Sequence, residues 1–319
     1  MRLNKFDMNL VVVLDALLTE RNITRAGERL FLSQSATSGA LARLRDYFDD
    51  PLLVQVGRKM VLTPLAESLV QPIRSLLIQA QTTLETRPEM NPADISRKLT
   101  FLMSDHTSTV VMPAVAREIS KQAPGISLEI ATPGDDPWSE LDQGKIDFLL
   151  MPNTFLNDDH PKLQLFIEEF VCICSADNPD IGDSISHQQY AEASHIGVGF
   201  GSQLRPGIDA VLAKNAGVER KVAMTVSAYS QLPQYVIGTD RIATVHKRLA
   251  DFWGEFLPIR IVKPEINFPK IPWSLQWHQY RDLDPVIGWV RDLMLDITGD
   301  EVSRQLAVGE AAEQLRSQG

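Results

Sequence analysis

Cysteine is scarce: the chain of 319 residues has two, Cys172 and Cys174, both in the continuous apolar run FVCICS. That excludes a disulfide framework and favours a reducing, cytoplasmic setting, with both thiols as core residues rather than metal ligands or redox groups. No apolar run reaches the roughly eighteen residues of a spanning helix. The N-terminal MRLNKFDMNLVVVLDALLTERN carries acids on both sides of its short apolar stretch, which argues against a signal peptide. Gly-x-Ser-x-Gly and His-Glu-x-x-His are absent and the six histidines are scattered, so nothing points to a hydrolase, a metal or a cofactor. GVGFGS is no dinucleotide fingerprint, because Ser202 stands where its third glycine belongs.

What is present is long enough for two or three domains and apolar enough, at 44%, to bury sizeable cores. A net charge of −10 speaks against nucleic acid until its distribution is read. The first 65 residues carry nine Lys/Arg against seven Asp/Glu, the remainder 22 against 34. A slightly basic head on an acidic body fits an N-terminal nucleic-acid module joined to something else.

Leu10, Val13, Leu14, Leu17 and Leu18 recur at helical spacing, and Asn22 or Thr24 can cap a short second helix, TRAGERL. SQSATSGALARLRDYF then opens on small and hydroxyl-bearing residues. Turned at about 100° per residue, this helix groups Leu41, Leu44 and Phe48 on a core face that also takes Thr37. The opposite arc holds Gln34, Ser35, Ser38, Gly39 and Arg43. A helix entering a major groove needs that profile, since bulky aliphatics would hold its backbone off the base edges. Close helix packing capped by Ser33 is the bland alternative. PLLVQVGRKMVLT adds a hairpin with Arg58 and Lys59 at its tip, a wing. PLAESLVQPIRSLLIQAQTTLETR continues as a long, thin amphipathic helix with no domain to bury it, so a partner helix is implied, and Pro72 kinks it. RPEMNPADISRK reads as a linker. Beyond it strands alternate with helices, the pattern of a parallel sheet.

The stretch from Phe6 to Glu67 resembles the N-terminal domain of LysR-type transcriptional regulators. The matching features are the aliphatic first helix, the small-residue second helix around Ala26, LSQSATS, Leu44-Arg45, DPLLV and LTP. Ser35 stands where the family often has proline. The resemblance implies an all-α winged helix-turn-helix over residues 1–63, a dimerisation helix and hinge over 64–91, and an effector domain over 92–300. A tail, 301–319, follows. Gln34, Ser35 and Ser38 are then the candidate base readers, with Ser33 beside them in the DNA-binding set, and Arg43, Arg45, Arg58 and Lys59 the phosphate contacts on double-stranded promoter DNA. So few cations per protomer call for a homodimer or homotetramer.

LDQGKIDFLL, with Leu141, Gly144 and Asp147, is similar to the recurring strand entry of the family's effector domain. That domain is an α/β type 2 periplasmic-binding-protein fold, here with subdomains 92–163 plus 267–300 and 164–266. Ligands of such sheets bind beyond strand C-termini. That selects Ser104, His106, Thr107 and Ser108 from the first half, and Phe200, Gly201, Ser202, Gln203, His246 and Arg248 from the second. The C-terminal WSLQWHQYRDLDPVIGWVRDLM resembles the branch of nodulation-gene, salicylate and chloroaromatic-degradation activators, whose effectors are flavonoids, aromatic acids and phenols. Phe166, Phe200, Trp273 and Trp277 would be apolar walls and Arg248 the partner of a carboxylate or phenolate. Glu168 and Glu169, near the hinge, count against a strongly anionic ligand. An activator recruiting RNA polymerase is expected; a repressor, a sensor of a non-aromatic metabolite, a solute-binding protein or an enzyme are the alternatives.

Overall fold

The computed structural model describes residues 6–57, 59–85 and 90–299. Arg58 and the tail 301–319 lie outside them. The chain divides into two compact units, residues 1–86 with 142–144 and residues 87–141 with 145–319.

In the first unit the aliphatic spacing yields α1 (Asn9–Glu20), with Leu10, Val13, Leu14, Leu17 and Leu18 all buried. Arg21 ends it in the left-handed region, its N–H donating to the Leu17 carbonyl. Of the two possible caps of α2 (Ile23–Arg29), Asn22 is used: its Oδ1 accepts from the Arg25 N–H at 3.0 Å. Ser33 caps α3 (Gln34–Phe48), accepting from the Ala36 N–H at 3.2 Å. The ribbon of β1 (Leu53–Val56) and β2 (Lys59–Leu62) is antiparallel, with Val56 opposite Lys59 at its tip. α4 (Pro64–Glu85) begins under the Thr63 hydroxyl, which accepts from the Ala66 N–H at 3.1 Å, and continues through Pro72. Leu14, Leu17, Leu41, Leu44, Leu52, Leu53 and Ala66 form the core of this winged helix-turn-helix.

The second unit opens with the expected alternation. Its elements are β3 (Arg97–Met103), α5 (Asp105–Val110), α6 (Met112–Gln122), β4 (Ile126–Ala131), α7 (Pro137–Asp142) and β5 (Phe148–Pro152). There follow β6 (Lys162–Glu168), β7 (Phe170–Ser175), β8 (Ser184–Ile185), α8 (His187–Glu192), β9 (Ser194–Phe200), β10 (Arg205–Pro206) and α9 (Ile208–Asn215). The last are β11 (Lys221–Val226), α10 (Leu232–Val236), β12 (Ile242–His246), α11 (Lys247–Gly254), β13 (Ile259–Pro264), β14 (Ile271–Gln276) and a helix over residues 285–299, α12. Two sheets result, β4-β3-β5-β14-β6 and β9-β12-β7-β13 with β10 and β11 on β9 and β8 on β13. β3 is parallel to both β4 and β5, β9 to β11 and β12, and β13 to β8; β14 pairs antiparallel with β5 and β6, and β7 antiparallel with β12 and β13.

β6 stays paired with β14 as far as Glu168, so the chain passes to the second sheet at Glu169, beyond the expected 163/164 division. Tying α12 to the first sheet, Arg97 bridges Asp284 at 2.6 Å and Asp147 at 3.2 Å, and Arg281 also pairs with Asp147. Cys172 and Cys174 are fully buried on β7, and burial pushes the Cys172 thiol up to about 12, so neither is a reactive thiolate.

Candidate functional sites

On α3 the helical map holds side chain by side chain. Thr37, Leu41 and Leu44 are buried, and Phe48 packs partly buried against them. Thr37 donates to the Ser33 carbonyl at 3.0 Å. Ser33, Gln34, Ser35 and Ser38 are exposed, and the Ser33 and Ser35 hydroxyls share a hydrogen bond of 3.0 Å. Arg43 is exposed and pairs with Asp7 at 3.3 Å; Lys59 is exposed at the ribbon tip. Arg45 departs from expectation. Its guanidinium donates to the Pro51 carbonyl at 2.8 Å and the Leu53 carbonyl at 3.0 Å, which ties α3 to β1 and makes it a structural residue rather than a phosphate contact.

In the second unit a cavity of about 170 Å³ lies beyond the C-terminal ends of β3, β4, β5, β9 and β12. That is where the strand topology turns from one sheet to the other and leaves a crevice. Ser104, Phe200, His246 and Trp273 line it, as the sequence suggested. Trp138, Leu150, Met151, Phe155, Ile208 and Tyr229 add to its largely apolar wall, and Asp135 and Arg205 are the charged residues among the described lining. At the rim Asp135 accepts from the Ser202 hydroxyl at 2.8 Å and from its N–H at 3.2 Å, while Arg205 donates to the Asp135 carbonyl at 3.3 Å. These hydrogen bonds, with Arg205 nearby, hold the Asp135 carboxyl below its ordinary range. Behind it, the Asp105 carboxylate accepts from the Ser230 N–H at 2.6 Å, a second strut between the halves.

Behind His246 lies a buried charge cluster. Glu168, 1% exposed, faces His106 Nε2 at 3.1 Å and Arg248 Nε at 3.3 Å. Burial raises the Glu168 carboxyl against the pull of His246 and Arg248, and lowers His106 to about 3. His106 stacks on His246 with centroids 3.7 Å apart, and Phe166 stacks on Trp273 beneath the Arg248 guanidinium. A lateral relay runs from Tyr229, whose hydroxyl donates to Asp209 at 3.3 Å, to Arg220, paired with Asp209 at 2.8 Å.

Residues 8–67 match the family described as "Bacterial regulatory helix-turn-helix protein, lysR family", and residues 92–298 match "LysR substrate binding domain". The chain belongs to the LysR family. This regulator is 37% identical over 316 residues to Nodulation protein D 1 of Mesorhizobium japonicum, covering 99% of each chain. Its fold is similar to a probable transcriptional regulator of Pseudomonas aeruginosa, with a TM-score of 0.61, 26% identity and 92% and 97% of the two chains covered. Full-length OxyR of the same organism shares the fold at a TM-score of 0.71, 19% identity and 91% and 94% coverage. The regulator thus pairs a DNA-binding winged helix-turn-helix with an effector-binding domain.

Several expected effector contacts of the LysR regulator stand elsewhere. Arg248 is turned onto Glu168, so it does not offer its charge to the cavity, and Glu168 in turn is neutralised in place rather than repelling a ligand. Glu169 lies on the outside, paired with Lys270. Trp277 donates from Nε1 to Asp282 at 3.0 Å and sits under the Arg291 guanidinium, packing against α12. His106 and Phe166 are the layer behind His246 and Trp273. Thr107 is buried with its hydroxyl on the Ser104 carbonyl, and Ser108 donates to the Asp105 carbonyl. Gly201, Ser202 and Gln203 are exposed in the turn after β9. The missed segment is Pro133–Trp138, and the rule applied to β3, read on after strand ISLEIA, would have found it. Tyr229 had no such signal.

Proposed function

We propose that the protein is a promoter-bound transcriptional activator whose cleft receives a small aromatic or phenolic effector. The observation that carries this is the aromatic-lined cavity at the switch between two sheets, in a chain that shares nearly its full length with Nodulation protein D. α3 enters the major groove through Gln34, Ser35 and Ser38, with Ser33 capping its start and Arg43, Arg58 and Lys59 on the backbone. α4, within the 64–91 segment, pairs two winged domains; effector domains over 92–300 assemble the pairs into a homotetramer in the cytoplasm. The protein performs no catalysis. Effector binding acts by favouring one of two arrangements, changing the DNA bend and the contact with RNA polymerase.

Binding to a dyad-symmetric promoter fragment, followed by gel shift across a salt series, tests the DNA half. A steep loss with salt is expected, and no shift at low salt overturns it. Thermal shift with phenols, aromatic acids and amino-acid metabolites tests the effector half; stabilisation by the last group alone overturns it.

A further inference from the structure

Two polar side chains that line the cavity are almost fully buried without a hydrogen-bond partner. His246 is 1% exposed with neither ring nitrogen engaged, and Trp273 is 2% exposed with Nε1 unengaged. His246 sits in an aromatic cage: stacked on His106, edge-on to Tyr229 at 4.4 Å and Trp273 at 5.3 Å, and beside Phe170 at 5.0 Å. Burial and the neighbouring His106 keep its imidazole far below its ordinary pKa and therefore neutral, with one donor and one acceptor nitrogen. Buried polar atoms are rarely left unmatched, so a ligand group is the natural complement.

Charge and size narrow that ligand. Among the described lining residues the charged ones are Arg205, which donates to the Asp135 backbone carbonyl, and Asp135, whose carboxylate is held down partly by that guanidinium and repels an anion; Arg248 is taken by Glu168. A volume of about 170 Å³ compares with the roughly 150 Å³ of a cavity that holds benzene.

We propose that the inner cleft selects a neutral, hydroxylated, single aromatic ring, and that His246 determines this specificity by accepting the hydrogen bond of the ring hydroxyl. Trp273, Phe155 and Phe200 supply the apolar walls. This rests on the cleft being the effector site.

Full-length protein is titrated by intrinsic fluorescence, with Trp138 and Trp273 at the cavity, against phenol, toluene, benzoate and 4-phenylphenol at pH 7.5. The first two are matched in size. Phenol is expected to bind roughly tenfold more tightly than benzoate and than 4-phenylphenol. In His246→Phe the phenol-to-toluene affinity ratio falls roughly tenfold while toluene itself changes little. His246→Gln, which keeps an acceptor, retains most of the ratio, and thermal melts establish that each variant is folded. Benzoate or 4-phenylphenol binding as tightly as phenol overturns the proposal on wild-type protein alone, as does an unchanged ratio in folded His246→Phe. Either result leaves the aromatic-effector reading standing, whereas binding of none of the four overturns both.

Discussion

At Gly27 a single methyl group decides whether the helix-turn-helix closes. A Cβ there would lie 2.8 Å from Thr37 Oγ1, which its hydrogen bond to the Ser33 carbonyl holds in place, and 3.0 Å from the Leu32 carbonyl oxygen, a backbone atom. Gly27→Ala should therefore destabilise the first unit by about 1–3 kcal/mol, the overpacking cost exceeding the helix-propensity gain of about 1 kcal/mol. A drop in its urea midpoint checks this. The two arginines of α3 separate in the same way. Arg43→Ala should lower the salt slope of DNA binding by about 1. Arg45→Ala should instead lower the melting temperature, because it frees the Pro51 and Leu53 carbonyls, and leave the slope unchanged. Thr37 was legible as structural because its angle on the helix says so. Arg45 was not, since its carbonyl partners, Pro51 before β1 and Leu53 at its start, come into reach only through the turn that follows the helix.

Among elements, the contact that matters most to the cleft is made by the loop after β4 and the turn after β9. Gly201 holds φ +71, and a Cβ on it would fall 2.3 Å from Asp135 Oδ1, so the turn reaches the carboxylate only because it bears no side chain. Asp135→Ala removes the acceptor of Ser202, and Gly201→Ala displaces it. Both variants should release a bound aromatic effector several-fold faster with the fold intact, which stopped-flow displacement measures; equal off-rates would contradict the latch. The alternating elements were readable from their apolar runs, yet the exchange between sheets was not. LFIEEFVCIC passes from β6 to β7 without a turn residue, and only pairing with β14 on one side and with β12 and β13 on the other marks Glu169 as the crossing. The cavity wall was half legible for a similar reason: strand ends are visible in sequence, but Tyr229 comes from a short turn that packing alone brings in.

For the whole molecule, acid should separate the two units. All six histidines lie between positions 106 and 278, so the first unit has none. In the second, burial holds His106 down to about 3, His195 to about 4 and His246 well below its ordinary value. Unfolded, each titrates near about 6.5. Below that pH the unfolded chain takes up protons that the native state refuses, so stability falls as pH drops from 6.5 toward the native values. Each imidazole then costs about 1.4 kcal/mol per pH unit, on the order of 2 kcal/mol by pH 5. Glu168 acts with the opposite sign: its raised native pKa lets the folded state keep a proton the unfolded chain has released, so its contribution recovers as pH falls through that value. Asp209, whose carboxyl burial also raises, acts with the same sign, so two carboxyls offset part of what three imidazoles lose, and the second unit is expected to lose stability between about pH 6.5 and 5. Calorimetry at pH 7.5 and 5.5 should show the second unit's transition moving to lower temperature while the first unit's moves less. A transition of the first unit that falls further than that of the second would contradict the assignment of neutral, buried imidazoles behind the cleft.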